Sequence, residues 1–576
     1  MARHAFAASV FAVAFGLTSS RLFWVAVSPR TAASWTSYAG IGLTALLDWI
    51  FLVLVYRLTL HPLAKYPGPL LAACTDWYNV YWVANGSRHL DFDRQHKKYG
   101  AIVRFGPNRI SFCSAGASRD LGSVKANVLR SPVFSAFKRF FGVDSSATTL
   151  NPKEHAFRRR VNNQALTPGI LQAYEGRVTP HIAYMVELLK KDLDSVPENA
   201  QGKGEKEGWG SAYNMTRTLM YCVADIMADL VFNQPWNVQR DPRNRRHIEQ
   251  LSKSTTGLLV AGHMQTVFRL GLHWILFFPF MKDVIHFLLL AKSFATRRAS
   301  QTDSDFKLAK GQRDIWSALL ASKDAETGQG FTPDQLTSEA GMFVTAGTGT
   351  SITTTSATLF YILHNPHTLA RLTREIRTAF PVPDDCTGQP ASQLACPIEW
   401  GSPELRKISY LEACILEALR LSPGLPGISP RVAGPGGITL DGAWFPEGTE
   451  LGIPFWSLYR MSEYFDEPLV YKPERWLPVE EGGMGLQPGL GPAAAFTPFG
   501  QGRFGCLGRH LAMQEITLIL GRLIWLFDMR LEPGNNLGGG TGEAQEGREC
   551  PSEFQILDRF ASDGNGPSVQ FRYRAP

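Results

Sequence analysis

Phe496-Thr-Pro-Phe-Gly-Gln-Gly-Arg-Phe-Gly-Cys-Leu-Gly-Arg-His-Leu-Ala512 is the stretch on which the reading of this 576-residue chain turns. Gly500, Gly502, Gly505 and Gly508 surround one cysteine, Cys506. Glycine lets a backbone approach its neighbours closely and adopt positive φ. An apolar pattern of helical period follows, from Leu511 to Phe527. Cys506 is therefore expected in a glycine-rich loop that leads into a helix. Free N–H groups at such a junction can point at a thiolate and lower its pKa. A thiolate beneath a large flat group needs that support, and it needs neighbours without bulk.

The other cysteines, at 74, 113, 222, 386, 396, 414 and 550, stand singly. No CxxC pair or His-rich cluster suggests zinc. A disulfide framework does not suit so long a chain with so few cysteines. The formal net charge is +7 and the pI about 8.9. That balance fits an anionic membrane surface or an acidic protein partner, and no Lys/Arg block points to nucleic acid. Hydrophobic residues at 44% and charged residues at 19% fit a large globular core.

Upstream, Glu417 and Arg420 are spaced i, i+3 on the helical run 410–421, so they share a face and can pair. Pro473-Glu-Arg475-Trp follows them. Thr332-Pro333-Asp334 reads as a helix start, with proline in the first turn. The helix should run to Leu363 and stop before Asn365-Pro366. Within it lies Ala346-Gly-Thr-Gly-Thr350-Ser, where Ala346 and Thr350 share a face one turn apart. Asn151-Pro-Lys-Glu-His155-Ala-Phe-Arg-Arg159-Arg places a histidine and an arginine four apart. Gly106-Pro107-Asn108, between two β-rich runs, reads as a hairpin, and 568–573 alternates like a final strand. The run 258–295 is unusually apolar: it suits a core helix or a membrane-dipping lid that admits substrate, and with the 115–150 loops, the face bearing Val344, Ala346 and Thr350, and the stretch Gly424–Ser429 it is expected to line the substrate site.

At the N-terminus, residues 5–17 form a short apolar run, and 39–56 a longer one broken by Asp48. A spanning helix needs about 20 apolar residues. The second run is near that length and ends on Trp49, Tyr56 and Arg57, which suit an interface. The expected organisation is a membrane anchor over 1–60 with one span or two, a stiff proline-rich elbow over 61–69, and a single body over 70–576.

The Cys506 loop resembles the haem-binding loop of cytochromes P-450, matching at Phe499, Gly500, Gly502, Cys506 and Gly508. The resemblance covers about 55–576 and is nearest to membrane-bound fungal members, many of which act in secondary metabolism. It implies a mainly α fold with small β-sheets, with an N-terminal transmembrane anchor. It implies haem b with Cys506 as the axial iron ligand, pushing electron density toward the metal. Phe499, Gly500, Arg503 and Gly508 would shape the cofactor loop, and His155, Arg159 and Arg431 would face the propionates. Glu417, Arg420 and Arg475 would form a buried network beneath the haem. Ala346, Gly347 and Thr350 would make the oxygen-binding segment, with the Thr350 hydroxyl relaying protons or bonding back to its own helix. The implied partners are an NADPH-dependent cytochrome reductase, a lipophilic small-molecule substrate and the endoplasmic reticulum membrane, with the catalytic body cytosolic. The expected reaction is O2-dependent hydroxylation, epoxidation or desaturation.

Two departures stand out. Phe504 replaces the family's usual basic residue, and Gly349 replaces its usual acid. The second departure keeps open a haem-thiolate isomerase or dehydratase that needs no reductive O2 activation. A non-catalytic haem-binding sensor is a third reading.

Overall fold

A computed structural model describes residues 35–574, apart from 137–142, 196–207, 250, 266, 268–269, 277, 302–313, 384–388, 390 and 543–545. The short apolar run at 5–17 lies outside the described residues. The helices that frame the site are α1 (Trp35–Val55), α2 (Pro152–Gln164), α3 (Met215–Phe232), α4 (Leu251–His263), α5 (Phe278–Ala299), α6 (Pro333–His364), α7 (Ser409–Leu421) and α8 (Arg509–Leu526).

The small sheets use β1 (Ile102–Gly106), β2 (Arg109–Phe112), β3 (Val128–Arg130), β4 (Ala212–Asn214), β5 (Arg431–Ala433), β6 (Glu450–Gly452), β7 (Phe527–Leu531), β8 (Ile556–Arg559), β9 (Ala561–Gly564) and β10 (Ser568–Tyr573). The largest sheet has the order β1-β2-β6-β5-β3, and a smaller one the order β4-β10-β7. β1 and β2 pair antiparallel across the expected hairpin. β10 is the expected final strand, paired with β7 and β4. In the large sheet, antiparallel β3 and β5 set Arg130 directly opposite Arg431.

The long helix starts where its sequence says. Thr332 and Gln335 close a reciprocal capping box, and Pro333 occupies the first turn. It runs for 32 residues and stops at Asn365-Pro366, where proline disfavours further helix. At about 1.5 Å per residue it is roughly 48 Å long. α3, α7 and α8 pack against it, as does β9. Its second half is buried almost without interruption, so it forms the spine of the core.

α1 and the π-helical turn that follows it contain an apolar segment, Gly42–Leu60, of mean hydropathy 1.8, none of it buried against the body. It overlaps the expected apolar run 39–56 and is, among the described residues, the one helix long and apolar enough to cross a membrane. The elbow is locked to the body: Leu63 is fully buried, Tyr66 stacks on Phe445 at 5.2 Å, and the Arg104 N–H donates to Pro67 O at 2.7 Å. A Cβ on Gly68 would lie 2.1 Å from the Arg104 carbonyl oxygen, so only glycine fits that approach.

The apolar run 258–295 divides in two. Leu258, Leu259 and Val260 are buried, while Leu270, Leu272, Ile275, Leu276 and Phe278 stand exposed.

Candidate functional site

Cys506 sits between a short 3-10 turn, Gly502–Phe504, and the start of α8, whose N-cap is Gly508. Its N–H donates to Phe499 O at 2.7 Å, which closes the loop on itself. Gly502 has φ +60°, and a Cβ there would lie 2.2 Å from the Gly122 carbonyl oxygen. This explains why the loop needs glycine at that point. The thiol is exposed to a cavity of about 380 Å³ and enclosed by protein elsewhere. Burial pushes its pKa up, while the Gly508 N–H, Arg159 and Arg509 pull it down.

The opposite side of the cavity is α6. Phe343, Ala346, Gly347, Thr350, Ser351 and Thr354 line it. Ala346 and Thr350 share the cavity face, as their spacing requires. The Thr350 hydroxyl donates back to Ala346 O at 2.9 Å, the self-bonded arrangement that helical threonine favours. Val344, expected on this face, is turned into the core and 2% exposed. A Cβ at Gly347 would meet the flexible Met227 side chain of α3 at 2.6 Å. At Gly349 the nearest contact would be Ala561 of β9, at 3.7 Å. Position 349 is therefore turned toward β9. The 115–150 segment and 424–429 both contribute lining residues, as expected. Among the described residues, 258–295 contributes none to this cavity.

One edge of the cavity gathers cations. Arg130, Arg159 and Arg431 line it beside His155 and Phe504. Burial pushes Arg130 down to about 9, with Arg431 and Arg159 adding repulsion. Burial, and then Arg503, push Arg431 down to about 10. His155 falls to about 3 through burial and four neighbouring arginines, so it is neutral. Among the described residues, none of these arginines has a carboxylate at ion-pair distance. Arg159 donates to Gly505 O at 2.8 Å, which ties α2 to the Cys506 loop. Arg503 turns away, and its guanidinium donates to the carbonyls of Ala126 (2.8 Å) and Val128. The Phe504 ring fills the centre: Arg431, Arg130 and Arg503 lie 4.2, 5.1 and 5.1 Å from its centroid.

The third assembly is fully buried. Arg420 Nε and Nη2 grip Glu417 at 3.0 and 2.8 Å. Arg475 Nε reaches Glu417 at 3.2 Å, and the Trp476 indole N–H donates to it at 2.9 Å. Arg420 also donates to the carbonyls of Tyr459, Pro468 and Val470. Glu417, Arg420 and Arg475 are each at most 1% exposed. The network fastens α7 to the 459–476 segment beneath the Cys506 loop.

Residues 69–538 match the cytochrome P450 family profile. The chain belongs to the cytochrome P450 family. Its relatives include cytochrome P450 monooxygenases of three fungi. One from Gibberella fujikuroi is 29% identical, over 92% of this chain and 98% of its own length. One from Emericella nidulans is 30% identical, over 90% and 94%. One from Alternaria alternata is 30% identical, over 92% and 96%. This P450 is a monooxygenase, an oxidoreductase that incorporates oxygen.

P450s bind haem, and the residues present fit one. A cluster of half-buried arginines at the cavity edge, with no carboxylate at ion-pair distance among the described residues, is a place that two propionates would neutralise. The cavity offers a thiol on one side and the small residue Ala346 on the other. The structure brings Cys506, Phe499, Gly500, Gly508, His155, Arg159, Arg431, Ala346, Gly347 and Thr350 to this single cavity. Arg503 is in the neighbouring shell and occupied with backbone. Sequence reasoning missed two residues. Arg130 arrives on β3 without a motif, and only the strand pairing places it beside Arg431. Glu515 lines the cavity from α8, and its signal was a lone acid within an otherwise apolar helix.

Proposed function

We propose that this P450 holds haem b through the Cys506 thiolate and oxidises a lipophilic small molecule by hydroxylation, epoxidation or desaturation. Secondary metabolite biosynthesis is the proposed setting, in line with the resemblance to membrane-bound fungal members of the family. The observation that carries the reading is that Cys506, Ala346 and Thr350 line one cavity. Haem bound there would supply oxygen activation, using electrons from NADPH through a reductase.

The chain's own residues then have separate tasks. Arg130, Arg159 and Arg431 would pair with the propionates and orient the ring. The Gly508 N–H and Arg159 would stabilise the thiolate against the cost of burial. Glu417, Arg420 and Arg475 would hold the floor rigid. Leu121, Phe343, Leu425, Ile453 and Phe455 give an apolar lining that favours an apolar guest and excludes water. The apolar Gly42–Leu60 segment supports anchoring in a membrane, and the proposed setting is the endoplasmic reticulum membrane with the body cytosolic. That placement would bring it to a membrane-bound NADPH-dependent reductase.

The test is the difference spectrum of the reduced, carbon-monoxide-bound protein beside Cys506→Ala. A thiolate-type Soret band in the wild type and its loss in the variant is the expected result. A histidine-type band in correctly folded wild type overturns the assignment.

A further inference from the structure

Behind Phe504 lies a second cavity, of about 450 Å³. Arg130, His155, Arg159 and Phe504 line both cavities and form the wall between them. Arg160 and Arg503 line only the second. It reaches the surface at Val124, Leu150, Asn151, Pro152 and Asn163, all of them exposed. Among the described residues that line it, none is an aspartate or glutamate.

The arginines differ in how far they are already satisfied. Arg160 is spoken for, by Asp324 at 2.5 Å and Glu326 at 3.0 Å. Arg130, Arg159 and Arg503 have no carboxylate at ion-pair distance among the described residues, and neither has Arg431 on the inner side. Glu339, whose charge reaches Arg130, is itself held by Arg158, Asn162 and Ser146. The Nε atoms of Arg130 and Arg503 are buried with no hydrogen-bond partner among the described residues. Four uncompensated guanidiniums therefore stand around Phe504. Two propionates would neutralise two of them, and two positive charges would remain. The start of α2 adds no free donors at its cap, because Asn151 already accepts from Lys153 N and Glu154 N.

We propose that the outer cavity is a binding site for a phosphomonoester, whose dianionic phosphate is held by Arg503 and Arg159 with Arg130 behind them. The charge of this guest rests on the haem reading above: a dianion balances the two cations that the propionates leave over. The guanidinium fork presents paired donors that match phosphate oxygens. Arg503 can serve because its guanidinium lies outside the inner cavity, tied to the Ala126 and Val128 carbonyls by one nitrogen. The rest of the wall is largely apolar, with Val128, Leu129, Leu150 and Ala156, and it gives the organic part of the ester a dry surface.

The test uses the full-length holoenzyme in neutral detergent and mildly alkaline buffer, with chloride holding the ionic strength constant. The probes are inorganic phosphate and phenyl phosphate. The readouts are the melting temperature and the broadening of the probe's phosphorus-31 resonance. Both probes should raise the melting temperature of wild type saturably, as a ligand of the folded state must, and phenyl phosphate should do so at the lower concentration. Arg503→Gln should weaken both about tenfold. Asn163→Asp, at an exposed rim position, sets a carboxylate against the guest and should weaken both as well, and it serves if the glutamine variant fails to fold. A response that does not saturate, or one unchanged in both variants, overturns the site. Equal binding of the two probes overturns the phosphomonoester as its guest. The reduced carbon-monoxide band of the same wild-type sample keeps the two readings apart. Its absence sinks the haem-thiolate assignment, while phosphate binding lost in Arg503→Gln would still support the outer site. A normal band without saturable phosphate binding overturns this proposal alone.

Discussion

Two clusters of charge, one fully buried and one half-buried, are completed in different ways. Around Glu417, a carboxylate meets Arg420, Arg475 and the Trp476 N–H, and the spare guanidinium protons reach backbone carbonyls. Around Phe504, Arg130 and Arg431 face each other across two strands with no carboxylate among the described residues. Like charges directly opposite on paired strands repel. Among the described residues, both guanidiniums donate to uncharged oxygens only, Arg130 to Ser146 O and Arg431 to the 429–430 turn, so desolvation is not repaid by a carboxylate and both pKa values fall. The first assembly is complete within the protein. The second is complete only with an anionic guest.

The comparison can be broken most forcefully at the complete network. Arg420→Ala leaves Glu417 buried without its bidentate partner, and the expected cost is about 3–5 kcal/mol. Thermal melts of the purified apo protein measure it, and a loss under about 1 kcal/mol would mean the network is dispensable.

Glu515 is a third way of carrying a buried acid, as the neutral form. Its folded pKa is about 8 against a reference of 4.5. Below the reference value both folded and unfolded states hold the proton, and there is no penalty. As pH rises from there toward 8, only the unfolded state gives it up, so stability is lost through that window. Glu515→Gln should therefore melt progressively higher than wild type between about pH 5 and pH 8, by roughly 4 kcal/mol at the upper end. Parallel curves would show an ordinary carboxyl.

The incomplete cluster should respond with opposite signs in the two states. Arg130→Gln removes repulsion in the apo protein and should raise its melting temperature. The same change removes a propionate partner and should speed haem loss about tenfold, or about 1.4 kcal/mol. Haem transfer to an acceptor protein reads the rate. Destabilisation of both states would show that the cluster is structural.

The smallest effect is expected at Phe504, where three guanidiniums contact one ring. Phe504→Leu keeps an apolar side chain and loses the cation–π contacts, of which the one with Arg431 is the shortest at 4.2 Å. A fall of about 0.5–1 kcal/mol in apo stability is the expected outcome, read by denaturant titration. No change would show that the ring only fills space.

Much of this protein is legible along the chain. The helix from Thr332 to Asn365 is bounded by a capping box and a proline, both local chemistry, and the structure keeps both ends. The hairpin at Gly106-Pro107-Asn108 is local in the same sense. Glu417 and Arg420 share a helical face by spacing alone, and the Cys506 loop announces itself through glycines that side chains would block. Other features depend on contacts between distant segments. Val344 read as a cavity residue, yet the rotation of α6 against α3 turns it into the core. The run 258–295 read as one unit, yet packing buries its first part and leaves much of the next exposed.

By itself, the sequence determined the P450 family, the helical spine, the loop around Cys506 and the anchor segment. Each is written in spacing, caps or glycine placement, which act over a few residues. Only the tertiary structure decided that Arg130 opposes Arg431, that Phe504 sits among arginines, and that Glu515 joins Ser351 at the cavity wall. Those pairs lie 301 positions apart on two strands or 164 positions apart on two helices. Neither a strand register nor a helix crossing is encoded in either partner alone, so burial and charge there emerge only once the core has closed.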